Sequence, residues 1–332
     1  MQRLGTWLEP HPEGIYLPGA DAWIDPSTPQ ARALVTHGHA DHARGGHGAV
    51  LATPETLAIM DCRYGPQNGQ PIAYGESIRM GDTDVRFVPA GHVLGSAQIV
   101  LEHGGQRIVV SGDYKRRSDP TCAPFEPVPC DVFVTEATFG LPVFRHPDTG
   151  SEIDRLLAAL HANRDRCVLV GAYALGKAQR VIMELRGRNH HEPIYLHGAL
   201  QRLCDLYRDF GVALGELRPA TGLKAADLKG AIVLSPPGAL NDRWSRRLPD
   251  PITAMASGWM GVRQRARQRN VELPLIISDH ADWDELTTTL QELAPSEVWV
   301  THGREEALVH WCMTRQIKAR ALALAHYDDE DD

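Results

Sequence analysis

The chain has 332 residues, 43% of them apolar, which suffices for one large or two ordinary domains with a real core. Its formal net charge of −8 excludes capture of a polyanion by bulk charge, so any such site must be a local basic patch or be built by metal ions. No charged-then-apolar leader opens the sequence, no apolar run reaches the ~18 residues of a membrane span, and the six cysteines lack CxxC spacing, so the expectation is a cytoplasmic protein with reduced thiols.

Residues 1–145 are predicted to form short strands between turns: AWID, ARALVTH, VRFVPA, AQIVLEH, RIVVSGD and DVFVTEA, several ending in Gly or Asp. Cys122 and Cys130 fall in a Pro-rich loop and read as buried thiols. Near residue 150 the pattern changes. SEIDRLLAALHANRD carries an apolar stripe at Ile153, Leu156, Leu157 and Leu160, with Ser151 and Asp154 spaced like a capping box, which predicts a helix. CVLVGAYALGKAQRVIMELRG and PIYLHGALQRLCDLYRDFG each read as strand, turn and helix, so the middle of the chain resembles a parallel α/β unit. After about residue 270 the first style returns in LPLIISDHADW and EVWVTHG, followed by a last helix near EEALVHWCMTRQI. A strand-rich segment, an α/β block and a return point to an inserted domain. The closing DDEDD reads as a solvated acidic end.

The stretch VTHGHADHARGGHG, residues 35–48, holds four histidines and one aspartate, three of the histidines and the aspartate in the pattern His37-x-His39-x-Asp41-His42. Imidazoles and a carboxylate on a Gly-rich loop after a buried strand are a donor set for a borderline metal ion. Further strand-like runs end in His92, Asp113, His280 and His302. Packing alone does not account for so many strand ends delivering ionisable groups, which are costly to bury unless paired or metal-bound.

The motif His37-x-His39-x-Asp41-His42, followed by His92 and Asp113 and preceded by Asp25, resembles the metallo-β-lactamase superfamily. Glu136 in VTEATFG, His280 in SDHADW and His302 in VTHG, with 22 residues from His280 to His302, resemble the further motifs of its β-CASP nuclease branch. ASGWMG around Trp259 is similar to a segment of the DNA-processing members. His302 instead resembles the RNA-processing and bacterial members, and GDYKRRSDPTCAPFEPVPCDVFVTEATFGLPVF resembles the bacterial DNA-ligase-associated exonucleases. The resemblance implies an α/β fold: a metallo-β-lactamase αβ/βα sandwich from residues 1–146 and 269–332, with an inserted α/β β-CASP domain over 147–268. It implies two divalent metal ions, zinc or manganese. His37, His39 and His92 would hold one, and Asp41, His42 and His302 the other, with Asp113 bridging. Asp41, Asp113, Glu136 and His280 would carry the chemistry, His280 as proton donor held by Glu136. Asp25 would orient a ligand imidazole.

Lys115 in YKRR and Lys177 at a helix start are candidate contacts to a substrate phosphate. The function implied is a metal-dependent DNA exonuclease acting on single-stranded ends in repair, beside a DNA ligase and a helicase and away from membranes. The alternative is a ribonuclease with the same site. A silent scaffold is disfavoured because every ligand position holds a competent residue. A small-ester or lactam hydrolase is disfavoured because it has no use for such an insert.

Overall fold

The computed structural model describes residues 5, 7–322 and 324. They fall into two compact units: one runs up to Arg145 and resumes at His280, and the other spans His146–Asp279. The acidic tail lies outside the described residues. No helix among the described residues is long and apolar enough to cross a membrane.

The first unit is built on two sheets. One has six strands in the order Glu9–His11, Gly14–Leu17, Ala22–Ile24, Ala33–Leu34, Val50–Ala52 and Gly69–Pro71. The other has seven, in the order Lys318–Ala321, Glu297–Gly303, Val132–Ala137, Gln106–Val110, Ala97–His103, Thr83–Pro89 and Ser77–Met80. Side chains alternate across a strand, and here both faces are apolar. Phe87, Ile99, Leu101, Ile108, Val110, Val132, Val134 and Trp299 meet Ile15, Leu17, Ile24, Leu34 and Leu51 of the six-stranded sheet in one buried cluster. The intervening Val88, Val100, Val109, Phe133, Val298 and Val300 face away. They pack with Leu286, Leu290 and Leu293 of helix Trp283–Leu293 and with Leu308 and Cys312 of helix Glu305–Met313. On the outer face of the six-stranded sheet, Ala33, Val35, Val50 and Ala52 pack with Leu57 and Met60 of helix Pro54–Tyr64. The layers run helix, sheet, sheet, helix, which is the αβ/βα sandwich.

The second unit has one parallel six-stranded sheet, ordered Leu217–Pro219, Ile194–Leu196, Ile232–Ser235, Val168–Gly171, Ile252–Ala256 and Leu273–Leu275. Its first helix runs Thr149–Ala162, two residues earlier than the sequence reading. The difference lies in the cap. Asp148, not Ser151, sits in extended backbone, and its carboxylate accepts the Ser151 amide, so the first turn starts upstream. The stripe buries Ile153, Leu156 and Leu160, while Leu157 is only half-buried. None of the six cysteines is in a disulfide, and Cys122 and Cys130 are half-buried rather than buried.

Candidate metal centre

The ends of both sheets of the first unit converge on one cluster. His37, His39, Asp41 and His42 lie just past strand Ala33–Leu34, His92 follows Thr83–Pro89, Asp113 follows Gln106–Val110, and His302 closes Glu297–Gly303. One ligand atom from each of His37, His39, His92 and Asp113 lies within 4.8 Å of the others, and the same holds for His42, Asp113 and His302. His37, Asp41 and His42 form a third such group, and Asp113, Glu136 and His280 a fourth. Asp113 is the common member of the first two and the fourth. Its Oδ2 is 3.5 Å from His37 Nε2, 3.4 Å from His42 Nε2 and 3.8 Å from His92 Nε2.

The donor atoms fit a divalent cation. His37 Nε2, His42 Nε2 and Asp113 Oδ1 are buried with no hydrogen-bond partner. Such orphaned groups cost about 1–3 kcal/mol each unless something else satisfies them. His92 Nε2 and His39 Nδ1 face each other at 2.9 Å, a spacing two lone pairs tolerate only with a proton or a cation between them. Burial, reinforced by the His42 and His92 imidazoles, holds His37 well below the ordinary histidine range, so it is a neutral donor. Burial also opposes charge on His42, but Asp41, Asp113 and Asp25 outweigh it and hold that ring well above the ordinary range. Burial likewise works to raise Asp113, but His42 and His280 keep it an anion well below the carboxylate range. A cation displacing the His42 proton would find two carboxylates already in place.

The supporting groups are as ordered as the donors. Asp25 Oδ2 takes His42 Nδ1 at 2.7 Å, which leaves Nε2 for the cluster. Asp25 is itself fixed by Thr36, whose amide donates to Oδ1 at 2.8 Å and whose hydroxyl donates to Oδ2 at 2.6 Å. The same hydroxyl lies 3.1 Å from His37 Nδ1, and Thr301 Oγ1 lies 3.2 Å from His302 Nδ1. Asp25 and His302 hold φ of 45° and 57°, left-handed backbone that non-glycine residues adopt at a cost. Ser96 Oγ accepts the amides of His92 and Val93, which pins that loop.

His280 is oriented separately. Its Nδ1 is 3.1 Å from Glu136 Oε2, and Glu136 Oε1 accepts the Tyr114 amide at 2.8 Å. Burial pushes Glu136 up, with His280 working against that shift. The Ala281 amide donates to Tyr114 O at 2.7 Å, so the segment carrying His280 is tied to the residue after Asp113.

The two candidate lysines are both buried and engaged. Lys115 is 2% exposed, with Nζ 3.4 Å from His280 O and 3.8 Å from Glu285. Its neighbours are similarly engaged. Glu285 accepts the amides of Arg116 and Arg117, and the Arg117 guanidinium meets Asp282 at 2.5 Å. The run YKRR thus clasps the N-terminus of helix Trp283–Leu293. Lys177 does begin helix Lys177–Gly187, but it is 4% exposed and paired with Asp279 at 2.8 Å, so its ammonium is not presented to solvent. Sequence reasoning missed Thr36 and Thr301. Their signal was a hydroxyl residue directly before each strand-end histidine.

No family model matches the chain. The chain is 28% identical to a "Probable DNA ligase" of Opitutus terrae over 95% of its own length, but it spans only 31% of that protein. It is 25% identical to "Cleavage and polyadenylation specificity factor subunit 3" of Dictyostelium discoideum over 70% of this chain and 37% of that one. It is 26% identical to "Ribonuclease TTHA0252" of Thermus thermophilus over 92% of this chain and 88% of that one. Among solved structures, a protein of unknown function from Enterococcus faecalis superposes with a TM-score of 0.55 at 14% identity, covering 89% of this chain and 80% of that one. That likeness concerns the fold alone.

Proposed function

We propose that the chain, which resembles the metallo-β-lactamase superfamily in its β-CASP branch, hydrolyses phosphodiester bonds as a two-metal nuclease, foremost as an exonuclease on single-stranded DNA. The observation that carries the reading is the buried cluster around Asp113, with its orphaned donor atoms beside the separate His280–Glu136 pair. We take His146–Asp279, which interrupts the first unit in the chain, as the inserted domain.

In this reading His37, His39 and His92 would hold one divalent ion, and Asp41, His42 and His302 would hold a second. Asp113 would serve both, as a carboxylate with two oxygens can and an imidazole cannot. Bound there, zinc or manganese supplies positive charge against the phosphodiester and acidifies water. The remaining work belongs to side chains. Asp25 and Thr36 keep the rings of His42 and His37 turned with Nε2 toward Asp113. Glu136 occupies Nδ1 of His280, which leaves its Nε2 to deliver a proton to the departing oxygen.

The alignment with a protein named as a DNA ligase, over nearly the whole chain, favours DNA and action beside a ligase and a helicase. A second reading, a ribonuclease, is favoured by the match to "Ribonuclease TTHA0252" over most of both chains. The test is digestion of end-labelled single-stranded DNA and matched RNA with zinc, manganese and magnesium in turn. Shortening of DNA from one end supports the first reading, preferential loss of RNA the second, and failure to cut either with any metal removes the nuclease assignment.

A further inference from the structure

The second unit carries a charge feature that the metal cluster does not use. Between Leu240 and Asn270 the sequence holds seven arginines and two aspartates, a surplus of five positive charges in a protein whose net charge is −8. The arginines lie in two segments, Arg243, Arg246 and Arg247 in the first and Arg263, Arg265, Arg267 and Arg269 in the second. Both segments rest on one apolar cluster, where Leu240 and Leu248 pack with Met260 and Ala266. Asn241 Nδ2 donates to Arg269 O at 3.4 Å, which joins the two directly.

Neither aspartate neutralises this set. Asp250 is spent on Arg166 at 3.1 Å, and Asp242 Oδ1 accepts the amides of Trp244 and Ser245. Among the described residues, Arg243, Arg246, Arg247, Arg263, Arg267 and Arg269 have no carboxylate within 4.0 Å, whereas exposed Arg79, Arg145 and Arg218 each have one. Residues four apart share a helix face. Arg263 and Arg267 therefore form an outer, exposed row on helix Arg263–Gln268, while Arg265 lies 4.1 Å over the Trp259 ring. Five arginines are exposed in all: Arg243, Arg246, Arg247, Arg263 and Arg267.

Like charges held together without counter-charges repel one another, and a surface of this kind is relieved by an anion of matching extent. The guanidinium fork matches phosphate oxygens, and a row of guanidinia matches a row of phosphates. We propose that this arginine face is a binding surface for the phosphate backbone of a nucleic acid strand, separate from the metal cluster. The partner's identity as nucleic acid rests on the nuclease reading above; the anionic character of the partner rests on the arginines alone.

The experiment measures binding of a fluorescently labelled single-stranded oligonucleotide to the full chain in EDTA, where no strand is cut, across a range of salt. Wild type is compared with the paired replacements Arg263→Ala/Arg267→Ala and Arg246→Ala/Arg247→Ala, and with Arg263→Lys/Arg267→Lys, which keeps the charge. Each alanine pair is expected to weaken low-salt binding about 10-fold or more and to make the slope of log K against log salt shallower by about 0.7 for each phosphate no longer neutralised. The lysine pair should keep most of the slope. With metal restored, turnover of a small activated phosphodiester should be unchanged in all three, which also shows that they fold. Equal slopes and affinities in wild type and alanine variants overturn the proposal. Displacement of the strand by polyglutamate as readily as by unlabelled oligonucleotide overturns it in favour of an acidic protein partner. If wild type binds strands through these arginines yet cuts none with any metal, the nuclease reading fails and the surface stands.

Discussion

The tetrapeptide Val-Thr-His-Gly occurs twice, at residues 35–38 and 300–303, and both copies deliver a histidine to the same cluster. Each begins with a fully buried valine, and each places a threonine hydroxyl just over 3 Å from Nδ1 of the following ring. The two are held by different means. Thr36 also grips Asp25, and Asp25 grips His42, so His37 stands in a closed web of side-chain hydrogen bonds. His302 is set by its backbone. Its own φ is 57°, and Gly303 follows at 89°, where an added Cβ would collide with Ala137 O. Gly38 serves another purpose, since a Cβ there would meet the Ile59 side chain at 2.5 Å. The same four letters thus position one histidine through a web of hydrogen bonds and the other through left-handed backbone beside the stacked His42 ring.

The largest expected effect erases the contrast. Asp113 contacts the rings on one side and shares a group with His302 on the other, so Asp113→Ala should remove hydrolysis and lower bound metal toward zero, read by atomic absorption after dialysis. Near wild-type turnover in this variant would break the two-metal assignment. Next comes the pair His280→Ala and His302→Ala. The first should cut turnover by ~10²–10⁴-fold with metal content unchanged, as for a positioned acid. The second should release about half the metal. The opposite pattern means the two roles are exchanged. The smallest and sharpest effect is Thr36→Val against Thr301→Val. Loss of a group that orients a ligand costs metal affinity ~10–100-fold. Thr36→Val should lie in that range because it loosens both His37 and Asp25, and Thr36→Ser should restore affinity. Thr301→Val should cost only a few-fold, because the backbone still aims His302. Equal losses in a competitive chelator titration would mean the web around Asp25 adds nothing beyond one hydrogen bond.

What the sequence disclosed follows from how far each signal travels along the chain. The inner strands were legible because their runs are apolar on both faces, as RIVVSGD and DVFVTEA are. The strands Glu9–His11, Gly69–Pro71 and Ser77–Met80 were not, since their exposed residues carry no such pattern. The histidines and aspartates stood out because ionisable groups rarely end so many buried runs. The burial of Lys115 and Lys177 was not legible because a charge is visible in sequence while its surroundings are not; the acids that meet them, Glu285 and Asp279, lie 170 and 102 positions away. The arginine face escaped notice for the converse reason. A run such as RQRARQR looks like any solvated stretch until the carboxylates are seen to lie elsewhere. Thr36 and Thr301 were hidden by the plainness of threonine, although the repeated tetrapeptide was there to be seen.

The strand Gln106–Val110 feeds two different interiors, Ile108 and Val110 to one and Val109 to the other. That places Asp113 in a fixed phase, three residues past the last inward valine. Losing or gaining one residue in this strand would exchange its two faces and turn isoleucine and valine toward the wrong layers all at once. Its length can therefore drift only in steps of two. Each step carries the Asp113 carboxylate roughly 6–7 Å along the strand axis, beyond the reach of every ring it now meets. Variation in such a chain is confined to the loops and outer edges, and the distance from a hydrophobic alternation to a single aspartate behaves as a fixed dimension of the molecule.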